Sequence, residues 1–293
     1  MADVTAAPEV WSIRRVLEWA SQDFRERGLP SPRLEAELLL AHVLGVDRIR
    51  LILDAERPLA AAELGRMRAL IQRRRAREPV AYLLGRREFW GLDFEVDGRV
   101  LVPRPDTEAL VEEALERTRD RSLHGRLLDL CTGSGCVAIA FAHERPTWAI
   151  TGADASADAL EVARRNALRL GAVWGVRWLR GDLWEALGAG ERFELVTANP
   201  PYVPSAEVDQ LEPDVRAWEP RLALDGGSDG LVLVRRIAAG ARERLTPGGT
   251  LALELHHDQA ERAEGLLRGA GFVEVRRRRD FAGHERVVSG RRA

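Results

Sequence analysis

Lysine is absent: all 44 basic residues of the 293-residue chain are arginine. Together with the abundance of alanine, this reads as a genome-wide compositional bias. The arginine runs at 73–75 and 276–279 are therefore weak evidence for nucleic-acid binding, and a formal net charge of −2 lacks the footprint of a dedicated DNA binder. Cysteine is scarce as well. Cys131 and Cys136 alone cannot build a disulfide framework, and a reducing cytoplasm is the expected compartment. The sequence has no apolar run long enough to span a bilayer and no signal-peptide pattern. What remains is an ordinary globular composition, 45% hydrophobic, of a length that suits two domains or one large one.

From about residue 10 to 76 the apolar spacing is helical. Ile13, Val16, Leu17, Ala20 and Phe24 share one face. Ser31-Pro32 is a start signal and Gly45 a stop, with Leu34, Leu38 and Ala41 expected to form the buried stripe between them. A further helix is expected over 60–75. This front end, residues 1–85, reads as a small helical interaction domain. Residues 86–106 read as a hairpin linker, loosely alternating around Gly91 and Gly98. It ends in Pro103-Arg104-Pro105-Asp106-Thr107-Glu108, where Asp106 or Thr107 can cap the next helix and the two prolines hold Arg104 rigidly.

Strands and helices alternate from 126 onward, which implies a mostly parallel sheet covered on both faces. The strand Leu127 to Leu130 runs into Cys131-Thr132-Gly133-Ser134-Gly135 and then a helix. Such glycines permit a tight turn and close approach of a ligand to the backbone. Asp154 ends the next strand, where a carboxylate can take both hydroxyls of a ribose; Ser156 is available as the helix cap there. Cys136-Val137-Ala138 lacks the third glycine of a dinucleotide fingerprint. A third strand ends at Gly181-Asp182-Leu183-Trp184, with Asp182 placed to accept from an adenine amino group and Leu183 or Trp184 to lie against the ring. A nucleoside site without a pyrophosphate is the pattern of S-adenosyl-L-methionine rather than NAD.

The fourth strand, Phe193 to Ala198, ends at Asn199-Pro200-Pro201-Tyr202. Proline lacks an N–H and biases the preceding residue toward extended geometry. Asn199 offers a side-chain oxygen and Pro200 a main-chain oxygen, two convergent acceptors suited to a planar NH2 group. Tyr202 can supply an apolar face. The polar segment 203–228 reads as a substrate-facing lid. His256 and His257 lack partners at metal-ligand spacing and read as surface residues, so no metal is expected.

These residues together resemble the release-factor glutamine N5-methyltransferases, the HemK/PrmC family. The likeness is carried by Glu78 to Gly85, Glu88-Phe89-Trp90-Gly91, Pro103 to Glu108, Asp129 to Gly135, Asn199 to Tyr202, Glu219 to Leu224 and Asp280 to Arg286. Asn-Pro-Pro-Tyr alone is shared with DNA adenine methyltransferases; its combination with Pro-Arg-Pro-Asp-Thr-Glu is far more specific. The resemblance implies a class I S-adenosylmethionine-dependent methyltransferase fold over 107–293, an α/β architecture with a seven-stranded, doubly wound, mostly parallel sheet. It also implies that the front domain docks the substrate protein, and that the glutamine of the Gly-Gly-Gln loop of peptide-chain release factors is methylated. Asn199, Pro200 and Tyr202 would be catalytic, with Pro201 beside them on the substrate. Cys131, Thr132, Gly133, Ser134, Gly135, Asp154, Asp182, Leu183, Trp184 and Asn199 would hold the cofactor. No membrane and no direct nucleic-acid partner are implied. A ribosomal-protein glutamine and an adenine amino group are the alternative acceptors. Two departures stand out: Cys131 occupies a position where the family has glycine, and is expected to need φ below zero. His256 also stands where glycine is expected.

Overall fold

The computed structural model describes residues 10–121, 124–172 and 175–293. The chain divides into two compact units, Met1–Leu84 and Gly85–Ala293. In the first, α1 (Ile13–Glu26), α2 (Pro32–Leu44), α3 (Arg48–Leu53), α4 (Ala61–Arg75) and α5 (Val80–Leu84) enclose a core of Ile13, Leu17, Phe24, Leu39, Leu40, Met67 and Ile71. Helix α1 starts where Ser12 Oγ accepts from the Arg15 amide, and α2 stops at Gly45, whose φ of 65° suits glycine.

The inner face of α2 differs from the expected stripe. Leu34 is exposed and Leu38 half-buried, while Ala36, Leu39, Leu40 and Val43 point inward. The cause is Glu35, which is buried against Arg74 of α4 at 2.7 Å and turns the helix with it. The whole 73–75 arginine run is ion-paired in this way: Arg73 with Glu78, Arg74 with Glu35, Arg75 with Asp23. Arg74 and Arg75 thereby tie α4 to α2 and α1.

The second unit opens with the hairpin β1 (Arg86–Phe89) and β2 (Leu92–Glu95), which packs Phe89 and Phe94 against Leu110, Val111 and Ile139. It belongs to this unit's core rather than standing apart as a linker. Its far edge is pinned by Asn166, whose side chain accepts from the Glu95 amide at 2.7 Å and donates to the Glu95 and Ser134 carbonyls.

Then come α6 (Glu108–Arg117), β3 (Arg126–Leu130), α7 (Cys136–Glu144), β4 (Ala149–Asp154), α8 (Ala157–Arg169), β5 (Val176–Arg180) and β6 (Phe193–Ala198). The chain closes with α9 (Pro213–Arg216), α10 (Val232–Arg244), β7 (Leu245–Glu254), α11 (Ala260–Gly269), β8 (Phe272–Arg279) and β9 (Glu285–Arg292). Seven strands form one sheet in the order β5-β4-β3-β6-β7-β9-β8. All neighbours are parallel except β9, which is antiparallel to both β7 and β8. Strands such as Leu127–Leu130 and Leu195–Ala198 are buried on both faces because helices cover both, and apolar apart from Asp129 and Thr197.

The second arginine run, on β8, is also structural. Arg276 and Arg278 converge with Arg117 and Ser289 on Glu113 of α6. Burial alone would raise the Glu113 pKa, but these four donors outweigh it and hold the carboxyl down at about 2.

One expectation needs correction at the start of α6. Neither Asp106 nor Thr107 caps the helix through its side chain, because a single 3-10 turn, Pro105–Thr107, leads into it. Asp106 instead pairs with Arg286 at 3.1 Å, and the Thr107 hydroxyl faces Asn199. Segment 203–228 is clamped by its own hydrogen bonds. Val203 donates to the Leu224 carbonyl, Gly226 donates to that of Val203, and the Ser205 hydroxyl donates to Asp225.

Candidate functional site

Register decides which residues meet. Leu130 aligns with Ala153 on one side and Ala198 on the other, and Ala198 aligns with Leu253. The residues at the next level of the carboxyl edge are therefore Cys131, Asp154, Asn199 and Glu254. Strand order reverses at β3, the first strand to be laid down, and in open α/β sheets such a switch point leaves a crevice outside the strand ends. A cleft opens there, with about 1120 Å³ of empty space counting its mouth.

The glycine turn forms one wall. Thr132 donates its amide to the Ala153 carbonyl, and Gly133 donates to Asp154 Oδ2 at 2.9 Å. Asp154 Oδ1 accepts from the Ser156 amide, while Ser156 itself caps α8, the division of labour read from the sequence. Burial leads the effects on Asp154 and raises its pKa despite these backbone donors. Cys131 corrects an expectation: its φ is 55°, in the left-handed region rather than below zero. Leu183 shares that backbone state, with φ of 52°.

Asp129 lies beneath the turn, buried but reaching the cleft wall, and accepts from the hydroxyls of Thr132 at 2.6 Å and Thr197 at 2.8 Å. Burial pushes its pKa up to about 7. The opposite wall carries Leu183 and Asp182, the latter paired with Arg236 at 2.7 Å. Pro220, Leu222 and Ala223 of the clamped segment stand at the mouth.

The cleft thus gathers Cys131, Thr132, Gly133, Ser134, Asp154, Asp182, Leu183, Asn199 and Pro201. Four expected site residues are not on its wall. Gly135 sits behind the turn, where a Cβ would come within 2.8 Å of the Trp178 ring. Trp184 turns away and donates its indole N–H to the Arg236 carbonyl on α10. Pro200 is buried between its neighbours. Tyr202 is held by Gln259, which donates to its carbonyl at 2.9 Å, and its ring lies near His256; burial raises its pKa to about 12.

Asn199 is the hinge of the arrangement. Its Nδ2 donates to Thr107 Oγ1 at 3.3 Å, and the Glu254 carboxyl lies beside it, its pKa raised by burial against the lowering effect of both residues. Sequence reasoning gave no site role to Thr107, Asp129 or Glu254. Around them the separated blocks converge: Arg286 bonds Asp280 and Asp106, and Arg104 bonds Glu219. Among the described residues no group of His, Cys, Asp and Glu is arranged to hold a metal, and no helix is long and apolar enough to cross a membrane.

A reversed-order, seven-stranded sheet with a glycine turn, a carboxylate at the second strand end and Asn-Pro-Pro-Tyr at the fourth defines a class I methyltransferase. Two family models agree with this class, the PrmC N-terminal domain over residues 15–85 and the methyltransferase small domain over 105–212. A solved methyltransferase from Pyrococcus furiosus shares the fold at 18% identity and a TM-score of 0.53, covering 77% of this chain and 98% of its own.

Full-length relatives are more specific. The chain is 46% identical to the release factor glutamine methyltransferase of Geobacter sulfurreducens, over 98% of this chain and 99% of that one. It is 48% identical to that of Bordetella pertussis, over 88% and 94%. The chain belongs to the release factor glutamine methyltransferase family.

Proposed function

We propose that the protein transfers the methyl group of S-adenosylmethionine to the side-chain amide nitrogen of the glutamine in the Gly-Gly-Gln loop of peptide-chain release factors. The observation that carries this reading is the orientation of Asn199, whose NH2 group donates to the Thr107 hydroxyl inside the protein, beside the Glu254 carboxyl. That leaves Oδ1 as its edge toward the cleft.

The cleft fits the cofactor. Asp154 has lone pairs left beyond its backbone bonds for a ribose, Asp182 and Leu183 flank the place for a base, and the buried Asp129 suits a cationic guest. When bound there, S-adenosylmethionine supplies an electrophilic methyl group on a sulfonium. The protein's part concerns the nucleophile. A carboxamide nitrogen is unreactive because its lone pair is delocalised into the carbonyl. Asn199 Oδ1 accepts one of its N–H groups, holds the amide in line and favours the form with more lone-pair density on nitrogen. Alignment and fixed dipoles of this kind lower the barrier without a strong base at the nitrogen, and the surplus proton leaves to water after the methyl has moved from the sulfonium, which departs as a thioether.

The test is Asn199→Ala, assayed with labelled cofactor and a release factor carrying its glutamine or an alanine there. Turnover should fall by roughly 100-fold or more, the usual cost of one preorganised polar contact, with cofactor affinity nearly unchanged. Equal loss of cofactor affinity, or label incorporated without the glutamine, would reject the reading.

A further inference from the structure

Glu254 is the last residue of β7 and only 2% exposed, on a strand hydrogen-bonded to β6, which leads into Asn199. Burial raises the pKa of its carboxyl, the Thr107 hydroxyl and the Asn199 amide beside it act to lower it, and its Oε2 is buried with no hydrogen-bond partner among the described residues. It does not line the cleft and cannot touch a substrate there. A buried acid in this position is unfavourable for folding, and the three-residue chain Thr107–Glu254–Asn199 gives it a use.

We infer that Glu254 is a positioning residue: its carboxylate fixes which edge of the Asn199 amide faces the substrate. The argument is one of donors and acceptors. An ionised carboxylate only accepts, so Asn199 must turn its NH2 inward and its oxygen toward the cleft. The opposite rotamer would set two oxygens against each other and offer a donor to a group that itself needs acceptors. The inference rests on the reading of Asn199 given above and extends it to a residue outside the cleft wall.

Protonation would undo the constraint, because a neutral carboxyl can donate to the Asn199 oxygen and stabilise the wrong rotamer. Burial raises the Glu254 pKa to about 7, which places this change in an accessible range. The charged and titratable groups facing it are Arg286 of β9, Asp106 before α6, Tyr202 after β6 and Cys136 at the start of α7. Arg286 favours the ionised form; Asp106 opposes it.

The composition permits a direct experiment, since the chain contains only two asparagines, Asn166 and Asn199. Protein labelled with 15N at asparagine side chains should give two NH2 signals, assigned by the pair missing in Asn199→Ala. On lowering the pH through about 7 the Asn199 pair should shift, and in Glu254→Gln it should move and exchange faster with water. The Asn166 pair, tied to the Glu95 and Ser134 carbonyls, should stay fixed in both cases. In parallel, Glu254→Gln should lower kcat roughly tenfold, leave cofactor affinity within about twofold, and remove the acid limb of the kcat profile, since a neutral amide no longer enforces one rotamer. An Asn199 signal indifferent to both pH and Glu254→Gln, or unaltered turnover with the acid limb intact, overturns the inference. A wild-type chain that leaves release factors unmethylated while its Asn199 signal responds as described upholds the positioning role and rejects the substrate assignment instead.

Discussion

The Arg104 guanidinium donates to the Glu219 carboxylate at 2.5 Å, joining segments 115 residues apart at the cleft mouth. Arg104 keeps about a third of its side chain in solvent, whereas Glu219 is buried; burial leads the effects on the Glu219 pKa and raises it. The pair fastens the clamped segment 203–228 to the turn that carries Thr107. Removing the arginine leaves a buried acid without its charged partner.

Arg104→Ala is therefore expected to cost about 1–3 kcal/mol, discounted from a fully buried pair because one partner is wetted. The loss should be local. Hydrogen exchange should accelerate over 203–228 and leave β3 and β6 protected, and KM for the protein substrate should rise more than kcat falls. Uniformly faster exchange across the unit would contradict this local role.

Cys131 holds a left-handed backbone that costs a residue with a Cβ about 1–2 kcal/mol. Glycine removes that strain but adds freedom to the unfolded chain, worth about 0.4–1 kcal/mol. Cys131→Gly should thus be as stable as the wild type or up to about 1 kcal/mol better, whereas the β-branched Cys131→Val should lose more than about 1 kcal/mol. Urea unfolding reads both directly. A clear destabilisation by glycine would show that the thiol contributes packing that outweighs the strain.

Asp129 gives cofactor affinity a pH dependence. Its folded-state pKa near 7 lies above the ordinary carboxylate value of 3.8, so folding takes up a proton and the ionised form loses stability as pH rises between them. A cationic guest reverses the preference by stabilising the carboxylate. Binding below pH 7 must release a proton, and Kd should tighten by up to about tenfold per pH unit as pH climbs toward 7, then level off. Calorimetry at pH 6, 7 and 8 in buffers of different ionisation heat should show proton release only at the lower end. Asp129→Asn should flatten the profile. A wild-type Kd independent of pH would mean that Asp129 is not sensed by the guest.

Much of this site is legible along the chain. Apolar runs give β3 and β6, the glycine turn gives one wall of the cleft, and Asn199-Pro200-Pro201-Tyr202 marks the strand end from which Asn199 and Pro201 reach it. The partners of Asn199 are not legible, for a physical reason. Thr107 has the local look of a helix cap and Glu254 that of an acidic strand end. Only the parallel pairing of β6 with β7, a contact made across a long crossover, brings Glu254 beside Asn199. Leu34 misleads in the same way. Periodicity sees its apolarity but not the Arg74 across the bundle that draws Glu35 inward.

That last pair sets a rule for exchanging parts between relatives. Arg74 and Glu35 sit on different helices, each sealed from water, so a hybrid that takes α2 from one parent and α4 from another inherits half of an ionic couple. Lysine in place of Arg74 would not mend it, because the guanidinium also donates to the Glu78 carbonyl and a single ammonium lacks that fork. The two helices have to be transplanted as one graft, with residue 78 included.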